Sequence, residues 1–258
     1  MAKPTLSVVL AIFNEAANLP RCLDSVKGLA DEIIVVDGQS SDNSVSIAES
    51  YGAKIIETTN KPNFHINKQL GLEAATRDWI LQLDADECLS DPLKSEIKRV
   101  LASPGEFVGF WLPRKNYFLG RFLTKGGQYP DYTLRLYKRG QGRLPAHDVH
   151  EQAVVSGPTS HLQFDLLHYG TPDFSNYLLR FNRYTSLTAS EFSKKHLPLN
   201  LFCAVYYLFI KSFWEFAKIY FRHKGFVDGF PGFVFALFSG LHYAVAYIKY
   251  WQISRFPA

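Results

Sequence analysis

The stretch WILQLDADE, residues 79–87, has the pattern of a buried strand that runs directly into two carboxylates. Asp84 and Asp86 are separated by a single residue, and hard oxygen ligands of this kind suit Mg²⁺ or Mn²⁺. These ions neutralise phosphate oxygens and can act as Lewis acids toward a departing diphosphate. The pattern therefore favours a metal site, and the alternative is a capped turn that leads into a helix near Ser90.

Three more apolar runs precede this strand, and helix-like segments separate the four runs. Strands that alternate with helices predict an α/β fold with a mostly parallel sheet covered on both faces. The runs are residues 6–13, 32–36 and 53–56, and the helical segments are residues 16–26, 41–51 and 66–75. Further along, the pattern predicts strands at residues 107–115, 132–138 and 162–167 and a helix at residues 176–193.

Polar residues follow three of the four early strands at the point where each strand ends. They are Asn14 and Glu15 after the first strand, Asp37 after the second, and Asp84 and Asp86 after the fourth. Ligands of parallel sheets bind beyond the carboxyl ends of the strands. Asp and Asn are also common in turns, but their presence at three strand ends favours a shared ligand site.

Composition excludes several classes of protein. Of 258 residues, 47% are apolar and 20% are charged, which excludes a disordered chain. A net charge of +4 suits an anionic substrate or membrane face and does not argue for nucleic acid. Three widely spaced cysteines predict free thiols in a reducing compartment. The N-terminus has the pattern of a first strand rather than a signal peptide, which predicts a cytoplasmic protein.

The segments LSVVLAIFNE, EIIVVDGQSSDNS, INKQLGLEAA and WILQLDADE together resemble glycosyltransferase family two, over about residues 6–170. The resemblance implies the GT-A fold, a Rossmann-like sheet flanked by helices, and metal-dependent transfer from a nucleotide sugar. It implies that Asp37 contacts the uracil base, that Asp84 lies near the ribose and that Asp86 binds the metal. Asn14 and Glu15 would line the nucleotide pocket.

Lys68 is assigned to the same nucleotide pocket by its position. Asn67 and Lys68 match a stretch that usually reads ARN in the family, so this sequence departs from the pattern there. A nucleotide-binding enzyme of another class would usually show a Gly-rich phosphate loop near the first strand, and residues 10–14 have none. A non-catalytic membrane scaffold would tolerate the loss of the acids, which are present.

Later segments narrow the resemblance. QYPDYTLRLYKRG, DVHEQAVVSG and LLHYGTPDFSNYLLRFNRYT resemble a bacterial subgroup of lipopolysaccharide-core β-1,4-glucosyltransferases. The subgroup implies inverting transfer of glucose from UDP-glucose to an inner-core heptose. Relatives with other acceptors leave another cell-envelope glycan or a polyprenyl-linked acceptor as alternatives.

Inverting transfer needs a general base that removes the proton of the acceptor hydroxyl. Glu151 and Asp148 are the candidates, and Glu151 is favoured because it matches the VHE motif of the subgroup. The alternative is an edge strand with alternating solvated charges.

Four more polar residues are weighed for binding roles. His168 is assigned to the metal or diphosphate, with a structural hydrogen bond as the equal alternative. Asp131, Arg135 and His150 are assigned to the acceptor. Arg135 points opposite its apolar neighbours on a strand and could instead be a surface arginine. For Asp131 the alternative is a turn role.

Composition changes after Pro198, where aromatic residues become dense. The change predicts a catalytic domain at residues 1–197 and a helical membrane-association region at residues 198–258. The polar residues Lys211, Glu215 and Lys218 recur at helical spacing beside a broad apolar face. They interrupt a segment that would need about 20 apolar residues to span a bilayer. Binding at the cytoplasmic face of the inner membrane is therefore favoured over spanning or packing on a partner subunit.

Overall fold

The computed structural model describes residues 4–61, 63–145, 152–171 and 173–256. Three residues with predicted roles, Asp148, His150 and Glu151, lie outside the described residues. Their assigned roles therefore stay predictions.

The first half of the chain alternates strands and helices, which confirms the predicted α/β architecture. Its strands β1 to β4 pair in parallel in the order β3-β2-β1-β4. The elements are β1 (Leu6–Ile12), α1 (Leu19–Val26), β2 (Glu32–Asp37), α2 (Ser44–Ser50), β3 (Lys54–Glu57), α3 (Phe64–Ala74) and β4 (Trp79–Leu83).

Antiparallel strands extend this sheet on the β4 side. Strand β8 pairs with β4, and β6 pairs with β8. Within the described ranges the full order is β3-β2-β1-β4-β8-β6-β12-β5. The elements are β5 (Glu87–Leu89), α4 (Asp91–Ala102), β6 (Gly109–Phe118), β7 (Arg121–Phe122), β8 (Asp131–Lys138), β9 (Gly142–Arg143), β10 (Val154–Val155), β11 (Thr159–His161) and β12 (Leu166–His168).

The single strand predicted at residues 162–167 is wrong in its bounds. Strand β11 runs parallel to β6, and β12 runs antiparallel to β5. Because the chain changes partner between these strands, residues 162–165 belong to neither.

The neighbouring parallel strands β1 and β4 are buried on both faces. Residues of β1 alternate between two apolar clusters, one that contains Leu10 and Leu23 and another that contains Val9 and Leu72. Helix α3 approaches β1 closely at Gly71, where an added Cβ would lie 2.5 Å from a methyl group of Val9. This double coverage leaves the carboxyl ends of the strands as the open edge for a ligand.

The chain divides into two compact units, Met1–Lys115 with Asp131–Gly170, and Asn116–Pro130 with Thr171–Ala258. The domain boundary predicted after residue 197 stays a prediction. Helix α5 (Phe174–Lys194) belongs to the second unit because it packs on α8 (Gly229–Arg255). The Lys249 ammonium on α8, for example, donates to the carbonyl of Asn182 and the hydroxyl of Thr185 on α5.

The rest of the second unit is also helical. Helices α6 (Leu201–Val205) and α7 (Ser212–Ala217) are joined by a π-helical stretch, Tyr206–Lys211, and a second such stretch covers Lys218–Arg222. By length and composition alone, one segment in the described part of the chain, Gly225–Arg255, could cross a membrane.

Candidate active site

The loops after β1 and β2 are tied together by side chains that follow the two strands. Asn14 donates its backbone N–H to the hydroxyl of Ser40 at 2.9 Å, and its side-chain oxygen accepts from the N–H of Ser41 at 2.8 Å. Asn14 has a positive φ of 56°, a conformation that Asn tolerates better than most residues. The predicted pocket residue Asn14 therefore organises both loops.

Glu15 lies at the start of the next segment, near the other acids. Its backbone N–H donates to the Ser44 hydroxyl at 2.8 Å, and its carboxylate accepts from the side chain of Asn18 at 2.9 Å. The pKa of Glu15 is raised because burial disfavours its charge; the Asn18 hydrogen bond opposes this shift, and the charges of Asp86 and Asp84 add to it. Glu15 thus belongs electrostatically to the carboxylate cluster at the end of β4.

Asp37 ends β2 and is almost fully buried. Its carboxylate accepts the backbone N–H groups of Gln39 and Ser40, each at 3.0 Å. These bonds give Asp37 a turn-stabilising role. Its contact with a base stays a prediction.

Asp84 carries two cationic partners. Arg135 donates to Asp84 Oδ2 at 2.7 Å, and the ammonium of Lys68 pairs with Oδ1. Burial opposes ionisation of Asp84, but the charges of Arg135 and Lys68 outweigh it and hold the pKa of this carboxyl well below its usual range. Asp84 is therefore a fixed anion.

Lys68 is buried on α3, and its ammonium lies 4.6 Å from the ring centroid of Phe64. Burial lowers the pKa of Lys68, and the charge of Asp84 opposes that shift. The pair brings α3 into contact with the carboxyl end of β4. Lys68 thus lies among the residues assigned to the nucleotide.

Asp86 and His168 lie side by side, with 3.4 Å between Oδ2 and Nε2. The antiparallel register of β12 and β5 pairs His168 with Glu87 and so brings the ring beside Asp86. The N–H of Tyr169 donates to the Asp86 carbonyl at 2.8 Å. Gly170 leaves room for this arrangement, since an added Cβ would lie 2.5 Å from Cε1 of His168.

The donor set at this point fits a divalent ion held jointly with a substrate. The side chains of Asp86 and His168 are 22% and 21% exposed, so both are accessible. The described ranges contain no group of three or more His, Cys, Asp or Glu residues suited to a metal. Mg²⁺ is commonly held by one or two carboxylates together with waters and substrate phosphates. A carboxylate, an imidazole and a diphosphate are together a suitable set.

Arg135, assigned to the acceptor, is buried beneath the acids. Besides Asp84, its guanidinium donates to Gln82 Oε1 at 2.6 Å and to Glu87 Oε1 at 2.8 Å. Asp131, also assigned to the acceptor, accepts two hydrogen bonds from Arg114 at 2.7 and 2.9 Å. The acceptor contacts of both residues stay predictions.

Glu87 and Arg114 are part of this site and were missed by the sequence analysis. Glu87 directly follows the two aspartates, and it is completely buried between Arg135 and Arg114. The position of Glu87 directly after the paired acids is the feature of the sequence that indicates a role in the site. No local pattern indicates Arg114.

The segment with the proposed bases lies outside the described residues, but the chain is described again from Gln152. The side chain of Gln152 accepts from the Thr133 hydroxyl at 3.1 Å. Thr133 lies on β8, two residues before Arg135.

Comparison with known proteins identifies the family. The sequence model of glycosyl transferase family 2 matches residues 7–153. The chain belongs to this family. It is 28% identical, over 97% of its length and 93% of the relative, to the lipopolysaccharide core biosynthesis glycosyltransferase LpsC of Rhizobium meliloti (strain 1021). It is 31% identical, over 89% of its length and 83% of the relative, to an uncharacterized glycosyltransferase of Rickettsia felis.

Solved structures agree with the fold. The mannosyltransferase PcManGT of Pyrobaculum calidifontis, in complex with GDP-Man and Mn²⁺, matches with a TM-score of 0.54 at 14% identity, over 97% of this family 2 chain and 88% of that one. TarS of S. aureus matches with a TM-score of 0.50 at 15% identity, over 97% and 55% of the two chains. The predicted GT-A fold is confirmed, and the long apolar helix near the C-terminus is a candidate for the predicted membrane association.

Proposed function

We propose that this family 2 enzyme is an inverting hexosyltransferase that moves glucose from UDP-glucose to a lipid-linked glycan, an inner-core heptose of lipopolysaccharide. The observation that carries the proposal is the meeting of Asp84, Asp86 and His168 at the carboxyl end of β4. The similarity to a lipopolysaccharide core glycosyltransferase over 97% of the chain supports the acceptor class.

The donor would lie over the ends of β1, β2 and β4. Asp37 would read the base, and Asn14 and Glu15 would line the pocket between the two loops that they tie together. Asp84, a fixed anion, would accept hydrogen bonds from ribose hydroxyls. The Lys68 ammonium, which pairs with one oxygen of Asp84, would orient the carboxylate toward the donor.

Asp86 and His168 would hold Mg²⁺ or Mn²⁺. The ion supplies a Lewis acid for the oxygens of the departing diphosphate when it is bound. Asp86 is kept in place through its backbone carbonyl by Tyr169.

Glu151 would take the proton of the attacking acceptor hydroxyl, with Asp148 as the second candidate. Asp131 and His150 would bind the acceptor glycan. The acceptor would thus approach from the side of β8, on which Asp131 lies and with which Gln152 makes its hydrogen bond.

The helical unit supports a membrane partner. Its outward aromatic residues include Phe213, which is 69% exposed. Large exposed apolar patches mark sites that bind proteins or membranes. Further exposed apolar side chains are Leu201, Phe202, Phe209, Ile210, Trp214, Phe221 and Phe230.

The polar stripe of this unit turns inward. Glu215 is buried and pairs with both Lys211 and Lys218, and the Lys211 ammonium lies 4.8 Å from the ring centroid of Tyr243 on α8. The outer face is therefore apolar. We propose that this face enters the cytoplasmic leaflet of the inner membrane without crossing it, and that the exposed Arg222 and nearby basic residues meet anionic lipid.

A transfer assay with defined glycolipids tests the acceptor. The purified protein is incubated with Mn²⁺ and one labelled donor at a time: UDP-glucose, UDP-galactose or UDP-N-acetylglucosamine. Each donor is paired with one of three acceptors: an inner-core glycolipid that ends in heptose, the same glycolipid without heptose, or polyprenyl phosphate. We expect label from UDP-glucose on the heptose-ended glycolipid alone. Label on polyprenyl phosphate would contradict the proposed acceptor. If no donor is either transferred or hydrolysed, the proposed enzyme activity is contradicted.

A flotation and topology experiment tests the membrane role. Vesicles with anionic lipid should bind the full-length protein, salt should release only part of it, and detergent should release all of it. A reporter placed between Gly225 and Gly232 should be accessible only from the cytoplasm. A reporter signal from the periplasm would contradict interfacial binding. A monomeric protein that does not bind vesicles would contradict any membrane role.

A further inference from the structure

Six charged side chains form a continuous chain of alternating sign beneath the site. Each neighbouring pair is in ion-pair contact. The chain runs from α3 through the acids after β4 to the first residue of β8, in the order Lys68, Asp84, Arg135, Glu87, Arg114 and Asp131. Arg135 and Glu87 at its centre are buried, with 7% and 0% exposure, and Lys68 at one end is 4% exposed.

Glu87 closes the turn that carries both aspartates, residues 84–87, called here the DADE turn. The N–H of Glu87 donates to the Asp84 carbonyl at 2.9 Å. In return, Glu87 Oε2 accepts from the Asp84 N–H at 3.0 Å. Because the two residues bind each other through both main chain and side chain, the conformation of Asp86 between them is restricted.

Arg135 holds the same turn from the neighbouring strand. One guanidinium nitrogen, Nη2, donates to Asp84 Oδ2 at 2.7 Å and to Glu87 Oε1 at 2.8 Å, while the other terminal nitrogen, Nη1, donates to Gln82 Oε1 at 2.6 Å. Lys68 holds the other oxygen of Asp84. With one cation on each oxygen, the Asp84 carboxylate cannot rotate freely.

A plain structural ion pair is a poor explanation for this arrangement. Buried ion pairs are often replaceable by apolar residues without loss of stability, because desolvation offsets their attraction. Here the buried charges converge on the one turn that bears the donor-side acids. A planar guanidinium holds both carboxylates and the Gln82 oxygen in one fixed geometry. An apolar residue makes none of these contacts, and a lysine lacks the second terminal nitrogen that reaches Gln82.

We propose that Arg135 and Glu87 are positioning residues that clamp the DADE turn and thereby set Asp84 and Asp86 for the nucleotide donor. This role rests on the proposed function and replaces the acceptor contact that the sequence assigned to Arg135. Neither residue touches the substrate. Both act through Asp84 and the turn.

Three variants test the clamp by calorimetry with UDP and Mn²⁺, together with thermal unfolding. Arg135→Lys keeps the buried positive charge but loses the planar group whose two terminal nitrogens reach Gln82 and the two carboxylates. The double variant Arg135→Gln with Glu87→Gln removes both opposite charges and keeps a polar side chain at each position. Lys115→Gln is the matched control, because it breaks a 3.0 Å ion pair with Asp165 on the opposite face of β6 from Arg114.

We expect Arg135→Lys to weaken UDP binding by about tenfold to a hundredfold, the usual effect of losing a hydrogen bond to a charged group. The double variant should unfold near the wild-type temperature but still bind UDP at least about tenfold more weakly. Lys115→Gln should bind UDP as the wild type does. Values of KM for the glycolipid acceptor should change little in all three.

Wild-type UDP affinity in Arg135→Lys would contradict the proposed clamp. A double variant with both wild-type UDP affinity and wild-type stability would contradict it as well. So would an Arg135 variant that binds UDP normally and raises only the acceptor KM, since that result assigns Arg135 to the acceptor. If the wild type binds none of UDP, GDP and CDP with Mn²⁺, the proposed function fails and the clamp fails with it. The other outcomes leave the proposed function intact.

Discussion

Replacing Gly170 by alanine should displace the His168 ring from Asp86 without changing either residue. The added Cβ would lie 2.5 Å from Cε1 of His168 and 3.2 Å from Oδ2 of Asp86, whereas an ordinary contact begins near 3.4 Å. The imidazole must therefore move by about 1 Å, and a misplacement of that size can cost about 10²-fold in rate. We expect Mn²⁺-dependent turnover of UDP-glucose to fall by about that factor while the unfolding temperature changes little.

The His168→Ala background supplies the control. Removal of the ring frees the space that the new methyl group needs, so Gly170→Ala should add little to the effect of His168→Ala. Such non-additivity is the signature of a contact between two sites. Initial rates of the four proteins at saturating Mn²⁺ measure it. Wild-type turnover in Gly170→Ala, or an equal loss in both backgrounds, would refute the steric reasoning.

Three other predictions concern separate groups. Asp37→Asn retains an oxygen for the turn but loses its charge, and Asp37→Ala loses both; both should weaken UDP binding in calorimetry, and unchanged affinity would exclude the base contact. Glu151→Gln should lower turnover by about 10²–10⁴-fold with little change in UDP affinity, and if only Asp148→Asn does so the two acids are reversed. The pKa of Glu32 is lowered, because hydrogen bonds, including two from Thr76, outweigh the opposing effect of burial. Its ionised form therefore stabilises the fold above its unfolded pKa near 4.5, and the loss of unfolding free energy in Glu32→Gln should shrink as pH falls from about 5 to about 3. A pH-independent loss would contradict this reasoning.

Local patterns were sufficient to predict the parallel half of the sheet. Strands β1 to β4 are short apolar runs between helices. The spacing of their apolar residues and the turn residues that bound them lie within a few positions of each run. The same holds for the acids that follow β4. Their position at a strand end is a property of the local sequence.

Contacts between distant strands could not be read in this way. The change of partner between β11 and β12 depends on β6 and β5, which lie far away in the sequence. The grip of Arg135 on the DADE turn joins residues 51 positions apart, through the pairing of β8 with β4. Alternation along β8 indicated which way Arg135 points, but not that the acids were its partners.

The helical unit gives a second example. Spacing predicted that Lys211, Glu215 and Lys218 share one face, and their ion pairs confirm it. The stripe faces inward because α8 packs against it, as the contact between Lys211 and Tyr243 illustrates. Such a choice of face depends on the neighbouring helix, which the spacing within one helix does not specify.

The central claim is that Asp86 holds a divalent ion for transfer from a nucleotide sugar. Release of UDP from labelled UDP-glucose by the purified full-length protein tests it most directly, with and without a chelator and after Mn²⁺ is restored. The Asp24→Ala variant is the control, since Asp24 is a surface acid paired with Lys27. We expect release that the chelator abolishes and Mn²⁺ restores, and its loss in Asp86→Ala but not in Asp24→Ala. Chelator-resistant release, or full activity in a folded Asp86→Ala protein, would contradict the claim.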